Sequence, residues 1–305
     1  MKKNRLGSSE LYVSEIGLGC MSFTSENEKN SIKMIEAAIE QGVNFLDTAD
    51  LYEFGQNEEL VAKSIKGKRD QVILATKVGN RPYGGGKEGW YWDPSKAYIK
   101  EAVKGSLKRL QTDYIDLYQL HGGTIDDPIE ETIEAFEELK QEGLIRSYGI
   151  SSLRPNVIRE YVNHSSIDSV MMPYSIIDQR PEEEMLNFLH NNHVSVIARG
   201  PLSKGMLTEK WRNKLPNEEY LEYSPSELKE LITYLESEVR HNIGLTQLGL
   251  RYALTHPAVA TVIPGASRLE QLQDNLKAKD VANLTAEQLR SIKEHTKRNT
   301  YKLHR

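Results

Sequence analysis

An aspartate, a tyrosine, a lysine and a histidine are the residues of this 305-residue chain whose types and spacing best suit acid–base chemistry. Asp47, Lys77 and His121 each end a short apolar run, and Tyr52 follows the first of these runs. A free tyrosine, with a pKa of about 10, is a poor acid near neutrality, but a lysine ammonium beside the phenol lowers that pKa. We therefore expect Tyr52 to be the general acid of a carbonyl reduction, with Lys77 tuning it. Asp47 would keep the lysine charged, and a neutral His121 would orient the carbonyl group.

The runs that carry these residues belong to a regular alternation of short apolar or β-branched runs with segments of helical periodicity. The runs are residues 15–20, 43–47, 72–77, 115–121, 147–151, 169–172, 195–198 and 260–263. The helical segments are residues 31–40, 58–65, 96–110, 129–142, 156–162, 182–191, 247–255 and 269–276. This alternation is typical of βαβ units, and eight pairs predict an α/β fold, a closed (β/α)8 TIM barrel forming one domain over residues 1–305. Neighbouring strands are about 5 Å apart, so three successive strand ends can bring the four side chains together.

Four segments lie outside this alternation. Residues 4–14 predict an N-terminal β-hairpin before the first barrel strand, and residues 286–297 predict an extra C-terminal helix. Residues 79–94 and 200–235 are long connections that each follow a barrel strand. Long insertions in compact domains are usually functional, and in this fold the segments that follow strands lie at the catalytic end.

The composition limits the classes of partner. Hydrophobic residues at 38% and charged residues at 27% describe a globular protein. A net charge of −5 gives no electrostatic reason to expect nucleic acid, and no apolar stretch is long enough to cross a bilayer. The N-terminus lacks the apolar run of a signal peptide, and a single cysteine, Cys20, suits a reducing compartment. We expect a cytoplasmic protein that binds a small molecule, and the sequence leaves the oligomeric state open.

Three segments resemble known binding motifs but lack residues that those motifs require. Residues 17–22 resemble a dinucleotide-binding fingerprint but lack its last glycine and the acid about 20 residues further on. Residues 84–87 resemble a phosphate loop, but Arg81 stands where its first glycine should be, and no Ser or Thr follows the lysine. His190 and His193 have no cysteine or carboxylate beside them, so we expect no metal site.

Each of the four candidate residues, taken alone, also has a structural explanation. Asp47 could cap a turn, Tyr52 could pack, Lys77 could be a surface charge, and His121 could bond to the backbone. Together and in this order, they resemble the active-site set of the aldo-keto reductase family. Other segments that carry the resemblance are GVNFLDTA (42–49), SLKRL (106–110), DYIDLY (113–118), GISS (149–152), PLSKGML (201–207) and IPGA (263–266). The resemblance covers nearly the whole chain and implies NADP(H)-dependent reduction of an aldehyde or ketone to an alcohol.

The resemblance also implies a cofactor site across the mouth of the barrel, without a Rossmann fold. The residues it assigns to that site are Gly19, Cys20, Met21, Asp47, Ser151, Ser152, Arg199, Gly200, Pro201, Leu202, Ser203, Lys204, Gly205, Gly265, Ser267, Arg268, Gln271 and Asn275. Residues 201–205 would wrap the pyrophosphate. Arg268 would meet the adenosine 2′-phosphate, which favours NADP(H) over NAD(H).

The part of that site expected to hold the nicotinamide departs from the family pattern. Ser151 and Ser152 stand where the family usually has Ser and Asn, which bind the carboxamide. Arg199 stands where an aromatic residue commonly stacks on the ring, and a guanidinium plane can also stack. The family usually supplies a glutamine near position 172, and this chain has Met172 there.

The expected substrate pocket is apolar and aromatic, which suits aldehydes, ketones or quinone-like carbonyl compounds. Its expected walls are Met21, Phe23, Leu51, Tyr52, His121, Trp90, Tyr91 and Trp92. The three residues 90–92 could equally pack their loop onto the barrel. Two other functions stay open from the sequence: a cofactor-binding regulatory or sensor subunit with little turnover, and a barrel lyase using Lys77 for a Schiff base.

Overall fold

The computed structural model describes residues 1–84 and 88–305. The chain begins with an antiparallel hairpin of two strands, β1 (Lys3–Arg5) and β2 (Tyr12–Ser14). The parallel strands that follow are β3 (Leu18–Gly19), β4 (Phe45–Asp47), β5 (Ile73–Val78), β8 (Ile115–Leu120), β9 (Ile145–Ser151), β10 (Ser169–Pro173), β11 (Ser195–Arg199) and β12 (Val259–Ile263). They are hydrogen-bonded in the order β12-β11-β10-β9-β8-β5-β4-β3.

The sheet closes on itself between its first and last strands. Ile16 pairs with Val262, and Gly19 pairs with Gly265, both in parallel. The Gly17 N–H donates to the Val262 carbonyl at 2.8 Å. The eight-stranded barrel and the N-terminal hairpin predicted from the sequence are therefore confirmed.

Helices surround the barrel. They are α1 (Glu28–Glu40), α2 (Gln56–Ser64), α3 (Lys96–Leu110), α4 (Ile129–Gln141), α5 (Pro155–His164), α6 (Met185–Asn191), α7 (Pro225–Tyr234), α8 (Leu245–Ala253), α9 (Leu269–Leu276) and the extra C-terminal helix α10 (Ala286–His295). In α4 the residues that face the barrel recur at helical spacing, and Phe136 among them is fully buried. Its ring stacks on Tyr148 with centroids 5.3 Å apart. Burial of such a side chain contributes about 1.5–3 kcal/mol.

The N-terminal end of the barrel is filled by the hairpin. Leu6, Leu11 and Val13 pack with side chains from inside the barrel, including Leu117 and Met171. This plug leaves the opposite end, where the strands finish, as the open mouth. The side chains that could do chemistry are at that mouth.

The two long connections contain structure that the sequence did not indicate. Residues 79–94 include a second hairpin, β6 (Asn80–Pro82) paired with β7 (Trp90–Trp92). Residues 200–235 include the whole of α7, which begins with a capping box of Ser224 and Glu227. Residues 85–87, which form most of the rejected phosphate-loop motif, are not among those described. Within the described chain, none of the helices has the length and apolar character required to span a membrane.

Candidate active site

Lys77 lies at the centre of the candidate site, near the end of β5. Its ammonium donates to Asp47 Oδ2 at 2.8 Å, to the Thr48 carbonyl at 2.7 Å and to the Tyr52 hydroxyl at 3.2 Å. These three acceptors match the three donors of an ammonium group. Only 1% of Lys77 and 3% of Asp47 are exposed, so the ion pair is shielded from water. The strand ends thus bring together the aspartate, lysine and tyrosine that the sequence singled out.

His121 joins this group from the end of β8. Its ring meets the Tyr52 ring edge-on, with centroids 5.9 Å apart, and its Nδ1 has no hydrogen-bond partner among the described residues. Burial, together with the charges of Lys77 and Arg199, lowers the pKa of His121 to about 3. The imidazole is therefore neutral at physiological pH, as the proposed orienting role requires.

The pKa of Tyr52 differs from the sequence-based expectation. Burial raises it, and this effect outweighs the opposing influence of the Lys77 ammonium. The lysine itself stays charged, because Asp47 and Tyr52 raise its pKa by more than burial lowers it. Burial also raises the pKa of Asp47, against the effect of Lys77. Tyr52 therefore keeps its proton at neutral pH and has a charged partner for the phenolate that forms when the proton leaves.

A glutamine that the sequence did not single out completes the surroundings of Asp47. Gln119 is fully buried on β8, and its amide donates to Asp47 Oδ1 at 3.4 Å. It lies two residues before His121, so the alternation of side chains along a strand places both on one face. That spacing was the signal that could have found it. Arg199, at the end of β11, also faces this group, because its charge acts on the pKa values of both Asp47 and Tyr52.

The loop that carries Tyr52 has an unusual backbone. Glu53, Phe54 and Gly55 follow one another in the left-handed region, with φ of 48°, 51° and 92°. A Cβ atom on Gly55 would lie 2.6 Å from Cδ of Arg109. Non-glycine residues at positive φ cost free energy, and such strain is often found at functional sites. The geometry of this loop therefore depends on the glycine and on the arginine packed beneath it.

A buried carboxyl group lies behind the same loop. Asp50 is 8% exposed, and its Oδ1 has no hydrogen-bond partner within residues 1–84 and 88–305. Burial raises the pKa of Asp50 to about 8, and the charge of Glu58 adds to this effect while Arg109 opposes it. In the folded protein Asp50 is therefore largely protonated at pH 7.

Replacing Asp50 by asparagine should stabilise the protein at alkaline pH. An unfolded aspartate has a pKa of about 3.9, so between about pH 4 and pH 8 the folded state holds a proton that the unfolded state has lost. Stability attributable to this group falls as the pH rises through that window. One pKa unit corresponds to about 1.4 kcal/mol, so we expect Asp50→Asn to raise the free energy of unfolding at pH 9 by at least about 2 kcal/mol.

Urea unfolding of both proteins at pH 5 and pH 9 measures this effect. The matched control is Asp113→Asn, which changes an exposed aspartate. An equal change in stability at both pH values would contradict the assignment of a raised pKa to Asp50.

The residues expected to bind the pyrophosphate lie in a turn after β11. Gly200, Ser203, Lys204 and Gly205 have φ of 62°, 46°, 58° and 90°. Left-handed backbone in such turns creates concavities lined by N–H groups that bind anions. Cβ atoms built on Gly200 and on Gly265 would meet nothing within 4 Å, so the backbone is open on that side. Directly after Gly200, Pro201 is buried and Leu202 is half-buried.

The residues expected near the adenosine lie at the start of α9. Arg268 is exposed and precedes the first residue of the helix. The backbone and hydroxyl of Ser267 donate to Gln271 Oε1 at 2.9 and 3.0 Å. Asn275 donates to the Gly265 carbonyl at 3.3 Å. These hydrogen bonds tie the segment before α9 to Gln271 and Asn275 on the helix, and Arg268 is open to solvent.

Two residues of the expected cofactor site have other bonds. Ser152 accepts from the Arg154 N–H at 3.2 Å, at the start of α5, whereas Ser151 ends β9 beside it. The Cys20 thiol is buried and donates to the Leu18 carbonyl at 3.7 Å. Burial raises the pKa of that thiol, and the charge of Asp47 adds to it. Cys20 is fully buried, and its carbonyl accepts from the Asn57 amide at 2.8 Å.

The residues expected to form the walls of the substrate pocket lie in different environments. Phe23 is 2% exposed and packs in the hydrophobic core, so its side chain offers no surface to a substrate. Trp90 is 46% exposed on the second hairpin, and Met21 is 68% exposed beside β3. Trp92 is half-buried, and its ring packs against Gly79 and Gly122. Of the expected walls, Tyr52 accepts from the Lys77 ammonium, and the His121 ring contacts the Tyr52 ring.

Comparison with known proteins gives a consistent picture. The model of the "Aldo/keto reductase family" matches residues 15–297. The chain is 55% identical to the uncharacterized oxidoreductase YqkF of Bacillus subtilis, and the match covers 100% of both proteins. It is 30% identical to the NADH-specific methylglyoxal reductase of Escherichia coli, over 92% of this chain and 94% of that protein.

Solved structures of aldo-keto reductases have the same fold as this chain. The holo form of an aldo-keto reductase, AKR11C1 from Bacillus halodurans, has a TM-score of 0.94 and 55% identity, covering 100% of this chain and 99% of that one. An aldo/keto reductase from Klebsiella pneumoniae in complex with NADP and acetate has a TM-score of 0.79 and 28% identity, covering 99% of both chains. No group of three or more histidine, cysteine or acidic residues that could hold a metal ion occurs among the residues described.

Proposed function

Since this chain belongs to the aldo-keto reductase family, we propose that it is an NADP(H)-dependent oxidoreductase that reduces aldehyde or ketone carbonyl groups to alcohols. The observation that carries the proposal is the position of the Lys77 ammonium, 2.8 Å from Asp47 and 3.2 Å from the Tyr52 hydroxyl. A buried ammonium shared by a carboxylate and a phenol stabilises the phenolate. That is the property a tyrosine needs to act as an acid.

The chain has residues that fit NADP(H). The open backbone at Gly200 and Gly265 leaves room for an extended ligand across the mouth, and the left-handed turn between Gly200 and Gly205 suits a pyrophosphate. Arg268 at the start of α9 suits a phosphate on the ribose. The bound nicotinamide would supply the hydride that the carbonyl carbon receives.

The protein's own residues supply the proton. Tyr52 donates it to the carbonyl oxygen as negative charge develops there, and the Lys77 ammonium stabilises the phenolate that remains. Asp47 keeps Lys77 charged and aimed at the phenol, since the two form an ion pair removed from water. In alcohol oxidation, the same tyrosine would accept the proton.

His121 positions the carbonyl group. Because its pKa is lowered to about 3, its imidazole is uncharged and can donate one hydrogen bond to the carbonyl oxygen without taking the proton from Tyr52. The edge-on contact of the two rings, with centroids 5.9 Å apart, supports a shared contact with one carbonyl oxygen. Two donors converging on one oxygen orient the substrate and stabilise its developing charge.

Assays of the wild-type protein test the proposal. NADPH absorbance is followed with a panel of aldehydes and diketones, and we expect at least one of them to accelerate oxidation. Tight NADPH binding without acceleration by any carbonyl compound would contradict the reductase and favour a sensor. Trapping of a substrate on Lys77 by borohydride would instead favour a Schiff-base lyase.

The preference for NADP(H) should depend on Arg268. Because a guanidinium pairs with a phosphate in two hydrogen bonds, Arg268→Gln should raise the KM for NADPH about 10-fold and leave the KM for NADH almost unchanged. The control is Arg290→Gln, which removes an exposed arginine from the remote helix α10. Equal effects on the two cofactors would show that Arg268 does not meet the 2′-phosphate.

A further inference from the structure

We propose that Trp92 is a positioning residue for His121, held in place by Asp127. The inference rests on the reductase function proposed above. It assigns to the second hairpin a part in setting the catalytic geometry, where the sequence left open a substrate wall or packing of the loop onto the barrel.

The indole ring of Trp92 lies against the backbone that leaves two catalytic strands. A Cβ atom on Gly79 would lie 2.5 Å from Cζ3 of Trp92, and one on Gly122 would lie 3.3 Å from the same ring. Gly79 is two residues after Lys77, and Gly122 directly follows His121. The ring thus fills the space that side chains at both glycines would occupy.

Asp127 fixes the ring. The indole N–H donates to both oxygens of Asp127, at 3.1 and 3.0 Å. The same carboxylate accepts from the backbone N–H of Thr124 at 2.7 Å and from its hydroxyl at 2.9 Å. Charge-assisted hydrogen bonds of this kind are roughly twice as strong as neutral ones. The ring and the turn at residues 122–127 therefore behave as one unit.

His121 needs such support, because little else fixes its orientation. Its backbone N–H donates to the Val78 carbonyl at 2.8 Å, whereas its ring Nδ1 has no partner among residues 1–84 and 88–305. Catalytic histidines are usually oriented by a hydrogen bond at the second nitrogen. The next two residues are Gly122 and Gly123, with φ of 154° and 128°, where the backbone has its widest freedom. Packing by Trp92 and the bonds of Asp127 restrict this segment from outside.

Substitution of Trp92 by phenylalanine tests the inference, because it keeps an aromatic ring and removes the N–H. We expect kcat to fall about 10-fold or more while the Kd for NADPH, measured by calorimetry, stays within about twofold, since small misplacements of catalytic groups have large effects on rate. The control is Tyr12→Phe, because Tyr12 is 50% exposed on the N-terminal hairpin, at the end of the barrel away from the mouth. It should leave kcat unchanged.

Two further measurements separate positioning from packing. Asp127→Asn should reproduce the fall in kcat, and the double variant Trp92→Phe/Asp127→Asn should lose no more than the larger single effect, since the two residues act as one unit. The nitrogen resonances of the His121 ring should shift in Trp92→Phe and not in Tyr12→Phe. This signal does not require turnover, so it tests the inference even if the proposed reductase activity is absent.

Three results would overturn the inference. Unchanged kcat and unchanged His121 resonances in Trp92→Phe would show that the ring only packs the hairpin. A raised KM with normal kcat would make Trp92 a substrate contact. Additive losses in the double variant would show that Trp92 and Asp127 act separately.

Discussion

Replacing Tyr52 by phenylalanine should lower kcat for carbonyl reduction about 1,000-fold, the middle of the range expected for loss of a general acid. The variant keeps the aromatic ring that meets His121 and removes only the hydroxyl that lies 3.2 Å from the Lys77 ammonium. Substrate and cofactor contacts should therefore survive. We expect the Kd for NADPH to change by less than about threefold, because the lost interaction matters mainly in the transition state.

Stopped-flow or steady-state measurement of NADPH oxidation gives kcat, and calorimetry gives the Kd. Tyr12→Phe is the control, because Tyr12 is 50% exposed on the hairpin at the other end of the barrel. If Tyr52→Phe retained a tenth of the wild-type rate, another group would have to supply the proton, and the proposed role of Tyr52 would be lost.

Replacing Lys77 by methionine should both abolish turnover and destabilise the fold. The substitution leaves Asp47, which is 3% exposed, without its partner. Removing one member of a buried ion pair costs about 3–5 kcal/mol, because the other charge stays buried and unpaired. We expect a loss of that size in the free energy of unfolding at pH 7, measured by urea denaturation, and a loss of kcat at least as large as in Tyr52→Phe.

A second substitution distinguishes the two effects. Asp47→Asn in the Lys77→Met background removes the unpaired charge and keeps an oxygen that can accept from Gln119. Most of the lost stability should return, whereas turnover should not, since the ammonium beside Tyr52 is still absent. Recovery of activity in the double variant would mean that the lysine serves only the stability of the barrel.

The sequence was sufficient for the part of the site that depends on strand order. Asp47, Lys77 and His121 end neighbouring parallel strands, and parallel strands finish at one edge of a sheet, so their meeting follows from topology. The eight strands themselves stood out because each is a short apolar run between helical segments. Strand topology and local hydrophobic patterning were therefore enough to predict this part of the site.

The sequence was insufficient where contacts between distant segments determine the environment of a side chain. Trp92 and Phe23 are aromatic residues after barrel strands, and nothing in their neighbours along the chain tells that one packs on Gly122 and the other enters the core. The raised pKa of Tyr52 has the same origin, since burial by surrounding segments outweighs the nearby lysine. The left-handed backbone around Phe54 could not be predicted either, because only tertiary packing forces non-glycine residues into the left-handed region.

The closure of the sheet has a consequence for how the protein is made. The strand β3 has two residues, and the strand that it needs as its second neighbour begins at Val259. At about 5–20 residues per second, the intervening chain takes roughly 10–50 s to synthesise. For that time an unpaired strand edge is exposed on the growing chain, the kind of surface that attracts aggregation and chaperones. Asn4 can make its 2.8 Å bond to the Ala260 carbonyl only after that last strand has been synthesised, so the hairpin that plugs the barrel also gains this bond late.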